Sequence, residues 1–240
     1  MSSQKSKKPS LRFVAAAVIA FIGFAVLSYP TVENIAYEFE VSGQKQEFLA
    51  RTRGSSSGGG SAAGPDQYDE LFNFLGLENE RLYETGQSKL VDAFSYQTVG
   101  VDLVKYDMED GCIGFVRIPA ISVELPIYLG ANTVNMEKGA VHLTETSYPI
   151  GGINTNSVIA AHRGETRNMF RHIDRLQVGD EVIITNFREV LVYRVIDMRI
   201  IDPSDINLVK IYEGRDLVTL VSCHPVGLTT QRYIVICERV

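Results

Sequence analysis

Residues 216–240 read DLVTLVSCHPVGLTTQRYIVICERV, and this stretch decides how the rest of the chain is understood. An apolar run, 217–221, ends in Ser222 and Cys223, and Arg232 follows nine residues after the cysteine to open a second apolar run. The pattern predicts strand, loop, strand, with Cys223 just after the first strand and Arg232 at the start of the second. Upstream, residues 157–163 (SVIAAHR) form another short apolar run with His162 near its end. A thiol, an imidazole and a guanidinium at strand ends are groups suited to acyl transfer, and a closed sheet can bring them together.

The chemistry assigns each group a task. A cysteine thiol titrates near ~8.5, so only a small fraction is thiolate at neutral pH unless a neighbour assists. His162 can act as base or as charged partner, and its imidazolium can then protonate a leaving amine. Arg232 offers a permanently charged donor for the oxyanion of a tetrahedral intermediate. No Asp or Asn is placed to orient His162, so a Cys–His pair assisted by arginine fits better than a protease triad. His224, next to Cys223, would point to the opposite face of the strand. His142 and His172 read as structural or surface positions. Cys112 and Cys237 either pair with each other or serve as small buried apolar residues. The spacing of His162, His224 and Cys223 matches no zinc pattern, and no nucleotide, redox-cofactor or EF-hand motif is present, so no metal or cofactor is expected.

The 240-residue chain has room for one ordinary domain plus appendages, and its net charge is −6. No Lys/Arg stripe marks the body of the chain, so no nucleic-acid partner is expected. Positive charge gathers instead at Lys5, Lys7, Lys8 and Arg12, directly before the uncharged run 13–27 (FVAAAVIAFIGFAVL). Extended through Tyr29, that run approaches the roughly 20 residues of a membrane-spanning helix, and its basic flank would stay cytoplasmic. A cleaved signal peptide has the same layout, but Ser28, Tyr29 and Pro30 make a poor cleavage site. The expected organisation is therefore a basic cytoplasmic tail at 1–12 and a signal-anchor at 13–30. An extracytoplasmic helical region at 31–110 and a catalytic β-barrel at 111–240 would follow. Three cysteines outside the cytoplasm are an odd number, which points to a reactive thiol at Cys223.

Within the helical region, Val32, Ile35, Ala36 and Phe39 recur at helical spacing. Residues 54–64 (GSSSGGGSAAG) read as a flexible linker. A helix is expected over 65–90, with Tyr68, Leu71, Phe72, Leu75 and Leu82 on its apolar side, Pro65 and Asp66 at its start and Gly86 at its end or break. From residue 111 the pattern changes to short β runs at 113–118, 122–129, 140–142, 157–161, 180–185, 190–200, 217–222 and 233–238. Turn residues separate them, as in a small barrel. One helix is expected at 168–176, with Phe170, Ile173 and Leu176 on one side.

The stretch TLVSC at 219–223, followed by Arg232, resembles the TLxTC…R signature of sortases, membrane-anchored cysteine transpeptidases of Gram-positive bacteria. AAHRG at 160–164 resembles their catalytic-histidine motif, in the HRG form typical of the class C, pilin-polymerising members. Similarity continues through GFVRIPAISVELPIYLG (114–130), GAVHL (139–143), SYPIGG (147–152) and DRLQVGD (174–180), and covers about 92–240. Ser222 stands where the family usually has Thr, and Gln231 where class C often has His. At Val240, the end of the last expected strand, class C members commonly continue into a membrane segment.

The resemblance implies a mainly β fold: an eight-stranded sortase barrel with short helices and an N-terminal helical region carrying a lid. It implies that Cys223 attacks the threonine carbonyl of an LPXTG-like sorting signal to form a thioester, with His162 as acid/base and Arg232 as stabiliser. The acceptor amine would be a pilin lysine or, in housekeeping-type members, a peptidoglycan precursor. Asp92, Ala93 and Phe94 take the place of the class C lid motif, so Asp92 would pair with Arg232 and Phe94 would cover the sulfur. The enzyme would be a monomer anchored to the cell membrane by a single span. Alternatives are a surface cysteine peptidase, in which water resolves the thioester, and an anchored binding module without catalysis.

Overall fold

The computed structural model describes residues 11–53, 65–87, 90, 101–164 and 167–240. The expected linker at 54–64 and the lid residues Asp92, Ala93 and Phe94 lie outside them, as does the tail through residue 10.

Eight strands close into one barrel. In chain order they are β1 (Cys112–Ile118), β2 (Val123–Leu129), β3 (Ala140–His142), β4 (Thr155–Ala160), β5 (Glu181–Asn186), β6 (Val190–Ile201), β7 (Asp216–His224) and β8 (Gln231–Arg239). Around the barrel the order is β1-β2-β3-β4-β7-β8-β6-β5. Two neighbouring pairs, β2 with β3 and β4 with β7, run parallel, and the others are antiparallel. Parallel neighbours need a crossover. A short helix, α3 (Thr133–Lys138), bridges β2 to β3, and the β5–β6 hairpin lies within the connection from β4 to β7.

The pattern of side chains explains the closure. In β6, Leu191, Tyr193 and Val195 are buried while Arg194 is exposed, the alternation of a strand with one covered face. In β4 every residue is buried, and in β7 all but the first and the last two, because both faces are covered; such strands read as continuous apolar runs. Gly114, beside the irregularity in β1, lies so close to β5 that a Cβ there would come within 2.5 Å of the Thr185 carbonyl oxygen.

Among the described residues, two α-helices precede the barrel. The first, α1 (Leu11–Arg53), is one continuous helix through Pro30, and among the described residues it alone is long and apolar enough to cross a membrane. Its barrel-facing stripe differs from the expected one. Val32, Ile35, Ala36 and Phe39 are exposed, and Tyr37, Val41 and Phe48 are buried instead. Helical spacing identifies a stripe but not the neighbour that covers it, and here polar contacts flank the buried side. The Tyr37 hydroxyl donates to the Lys138 carbonyl at 2.7 Å, Gln44 donates to the Tyr128 hydroxyl at 2.9 Å, and Lys45 pairs with Glu124. Phe48 meets Phe115 edge-on at 5.5 Å. In the second helix, α2 (Pro65–Glu84), Tyr68, Leu71, Leu75 and Leu82 are buried as the sequence predicts, and Gly86 ends the segment with a φ of 63°.

The helix expected at 168–176 is only a 3₁₀ turn, Ile173–Arg175. Its apolar residues Met169, Phe170, Ile173 and Leu176 are buried nonetheless. The backbone there pairs in the 3₁₀ pattern, Arg175 N–H donating to the His172 carbonyl at 3.0 Å, while the Arg171 carbonyl, which an α-helix would pair with residue 175, accepts from Arg163 at 3.2 Å. At the start of the stretch, Asn168 N–H donates to the Asn34 side chain at 2.9 Å and Phe170 N–H to the His162 carbonyl at 3.0 Å.

Candidate active site

β7 extends two residues further than the sequence predicts. It runs through His224, so Cys223 lies inside the strand rather than after it. Its antiparallel partner β8 starts at Gln231, and the register places Cys223 directly opposite Arg232. Residues opposite each other share a face, with Cβ atoms about 4.5–5.5 Å apart. The thiol and guanidinium therefore rise from one patch of sheet.

His162 comes to the same level from the other side of β7. The parallel register pairs Ala160 of β4 with Val221. It continues past the strand end, where Ala161 N–H donates to the Val221 carbonyl at 3.2 Å and the buried Ser222 hydroxyl donates to the Ala161 carbonyl at 2.8 Å. Two residues beyond Ala160 and two beyond Val221 are His162 and Cys223. The ends of β4, β7 and β8 thus gather all three residues that the sequence singles out.

Their surroundings differ. His162 is exposed and lines a cleft of about 420 Å³ with Glu33, Glu137, Gly164, Arg167 and Met169. Helix α1 braces this rim: Arg167 lies 4.9 Å from the Tyr37 ring centroid and donates to the Glu137 carbonyl at 2.7 Å. Arg232 is buried, and its Nη1 donates to the carbonyls of Thr229 at 2.8 Å and Gln231 at 3.2 Å, which aims the fork. Asp202, just beyond β6, has its carboxyl held below the usual range by the Ser204 hydroxyl and N–H, with the nearby Arg232 charge adding to the effect.

The three thiols are sorted by burial. None is in a disulfide. Cys112 and Cys237 are fully buried; burial pushes the Cys112 thiol up to about 12 and raises that of Cys237 as well. A thiol held protonated in an apolar interior is inert. Cys223 alone is partly exposed. His142 is buried, its Nε2 facing the carbonyls of Thr146 at 3.2 Å and Ser147 at 3.0 Å, and His172 is half-buried at the 3₁₀ turn. Among the described residues no group of three or more His, Cys, Asp or Glu side chains is arranged to hold a metal ion.

Sequence reasoning passed over Arg163. It sits beside His162, and its buried guanidinium reaches Asp174, His224 and the Arg171 carbonyl. Its place inside the AAHRG stretch was the signal available; nothing in an isolated arginine tells that it is buried.

Comparison with known proteins supplies the frame. A family model described as the sortase domain matches residues 116–240, just over half the chain. Sortase D of Bacillus subtilis is 29% identical over 130 residues, covering 53% of this chain and 63% of the relative. Sortase A of Listeria monocytogenes is 25% identical over 134 residues, covering 55% and 58%. The chain thus spans less than two thirds of the length of these curated relatives. Among solved structures, the sortase C2 of Group B Streptococcus Pilus Island 1 superposes with a TM-score of 0.62 at 32% identity, covering 71% of this chain and 98% of that one. Sortase C1 from Streptococcus agalactiae gives 0.67 at 26% identity, covering 82% and 97%. With a family model spanning most of the barrel, and neighbours that share the fold at nearly their full length, the chain belongs to the sortase family.

Proposed function

We propose that this protein is a membrane-anchored cysteine transpeptidase that cleaves an LPXTG-like sorting signal and passes the acyl group to an amine, a pilin lysine in the first instance. The observation that carries the reading is the register pairing of Cys223 with Arg232, with His162 brought level by the parallel β4–β7 pair. Kinship with sortases and the likeness to pilus-related sortase C structures support it. The apolar N-terminal part of α1 supports an anchor, with the barrel outside the membrane.

The chemistry follows from the placement. The Cys223 thiolate attacks the threonine carbonyl, and the carbonyl oxygen becomes an oxyanion beside the Arg232 guanidinium. His162 as imidazolium gives its proton to the departing amine, and the peptide bond breaks to leave a thioester on Cys223. The acceptor amine loses a proton to His162 as it attacks. The C–S bond breaks, and a new amide carries the substrate away. In this scheme Asp92 and Phe94 form a lid, the carboxylate latching on Arg232 and the ring shielding the sulfur.

The test uses the full chain in detergent, an LPXTG-containing peptide, and either hydroxylamine or a lysine-bearing pilin peptide as acceptor. Amine-trapped product and a thioester on Cys223, detected by mass, are expected, and Cys223→Ala abolishes both without loss of folding. Hydrolysed product alone, with amines failing to compete, would make the protein a peptidase. Asp92→Ala and Phe94→Ala should each speed alkylation of Cys223, and unchanged rates would remove the lid.

A further inference from the structure

Each of the three proposed catalytic residues is followed in sequence by a side chain on the reverse side, and those three followers meet. His162 is followed by Arg163, Cys223 by His224 and Arg232 by Tyr233. In β7 and β8 successive residues point to opposite faces, and just past the end of β4 His162 is exposed while Arg163 is buried. On that reverse side the Arg163 side chain is 2% exposed. Its Nη1 donates to His224 Nδ1 at 3.0 Å, its Nη2 lies 2.8 Å from an Asp174 carboxylate oxygen, and its Nε donates to the Arg171 carbonyl at 3.2 Å. The guanidinium also lies 5.4 Å from the Tyr233 ring centroid, and His224 packs on the same ring at 6.0 Å.

We propose that Arg163 is a positioning residue: just past the end of β4, its buried fork ties that segment to the end of β7 and to the 171–174 turn, with the Tyr233 ring of β8 beside it, and so sets His162, Cys223 and Arg232 at reacting distance. The proposal rests on the reading of Cys223 as nucleophile given above. A guanidinium is planar and has donors only, so each nitrogen demands an acceptor in a fixed direction. Here all three nitrogens are engaged, Nη1 by the end of β7 and Nε and Nη2 by the segment 171–174. His224 must therefore present a lone pair at Nδ1. A buried guanidinium deprived of acceptors is strongly unfavourable, so the strand ends cannot separate cheaply. Lysine in its place keeps the charge but can satisfy these directions only one or two at a time.

Full chain in detergent, an LPXTG-containing peptide with hydroxylamine, and iodoacetamide alkylation of Cys223 across pH test the assignment. Arg163→Lys and Arg163→Met should lower kcat on the order of tenfold to a hundredfold, as expected when catalytic groups are misplaced by a fraction of an ångström to one ångström. KM should stay within about twofold, because the substrate-binding surface is untouched. The alkylation-versus-pH profile of Cys223 should shift, since the thiol no longer meets His162 in the same geometry. His224→Leu removes the acceptor and should reproduce the loss. His224→Asn, whose Oδ1 replaces Nδ1, should restore most of the rate. Full kcat in Arg163→Met, a rate that falls only in step with the folded fraction, or equal rates in the two His224 variants would overturn the proposal. Should Arg163→Met fail to fold, the His224 pair decides. Absence of any transpeptidation by the unaltered chain would refute the functional reading instead, and the alkylation profiles would still judge the clamp.

Discussion

The two ends of the barrel are built from the same strands and hold their polar groups in opposite ways. At the end where β7 begins, the groups close on one another. Asp216 accepts from Gly152 N–H at 2.9 Å, the Tyr193 hydroxyl at 3.0 Å and the Thr155 hydroxyl at 3.4 Å. Arg215 forks onto Glu238 at 2.7 and 2.8 Å. Towards the middle, the Thr219 hydroxyl donates to the Asn156 side chain at 2.8 Å and the Ser157 hydroxyl to the Ser147 carbonyl. At the end where β7 finishes, the reverse side closes around Arg163. The front side keeps Cys223 partly exposed and His162 exposed. A satisfied network rigidifies a scaffold, whereas a site must keep groups able to reach a substrate. The arrangement at the second end does both, one on each face of the sheet.

The contrast can be broken first where the effect is largest. Arg232→Lys should lower kcat by about 10²–10³, the loss seen when an oxyanion donor is removed, while leaving the denaturant midpoint near its original value. A variant that lost stability and kept its rate would place Arg232 with the scaffold. Next comes acid. Burial pushes His142 down to about 4 from its ordinary 6.5, outweighing its carbonyl partners, so the folded protein keeps this imidazole neutral. Below the ordinary value the unfolded chain binds a proton that the folded chain refuses. The stabilisation is complete above 6.5 and is lost as pH falls towards 4, by about 3 kcal/mol in all. Urea unfolding at a series of pH values should show this slope, and His142→Gln should flatten it; an unchanged slope would contradict the neutral assignment. The smallest effect belongs to the closed end. Asp216→Asn weakens a set of accepted hydrogen bonds and should cost about 1–2 kcal/mol of stability with kcat unchanged. A fall in kcat there would show that the two ends are coupled.

Much of this was legible before the fold was known, for reasons that differ by element. Apolar runs bounded by turn residues located all eight strands to within a few residues at each end, because burial on both faces in β4 and β7, and on one face in β6, leaves little room there for polar side chains. The stripe of α2 was readable since its buried apolar residues recur at helical spacing on one side of the helix. In α1 the apolar signal was dominated by residues that remain exposed, so Val32 and Phe39 masked the stripe of Tyr37, Val41 and Phe48. Residues 168–176 carried a helical rhythm but spend their backbone groups on Asn34, His162 and Arg163. Arg163 itself was invisible: its partners lie 8, 11 and 61 residues away, and only the folded chain puts them around one guanidinium.

Residue order alone singled out the side chains of the proposed chemistry, a thiol, an imidazole and a guanidinium, each at one end of an apolar run. Closure of the barrel decided that they share a face. A slip of one residue between β7 and β8 would turn Cys223 away from Arg232, and local sequence carries no protection against that slip. The register is held because β7 pairs along its length with β4 on one side and with β8 on the other, so a slip would break both ladders at once.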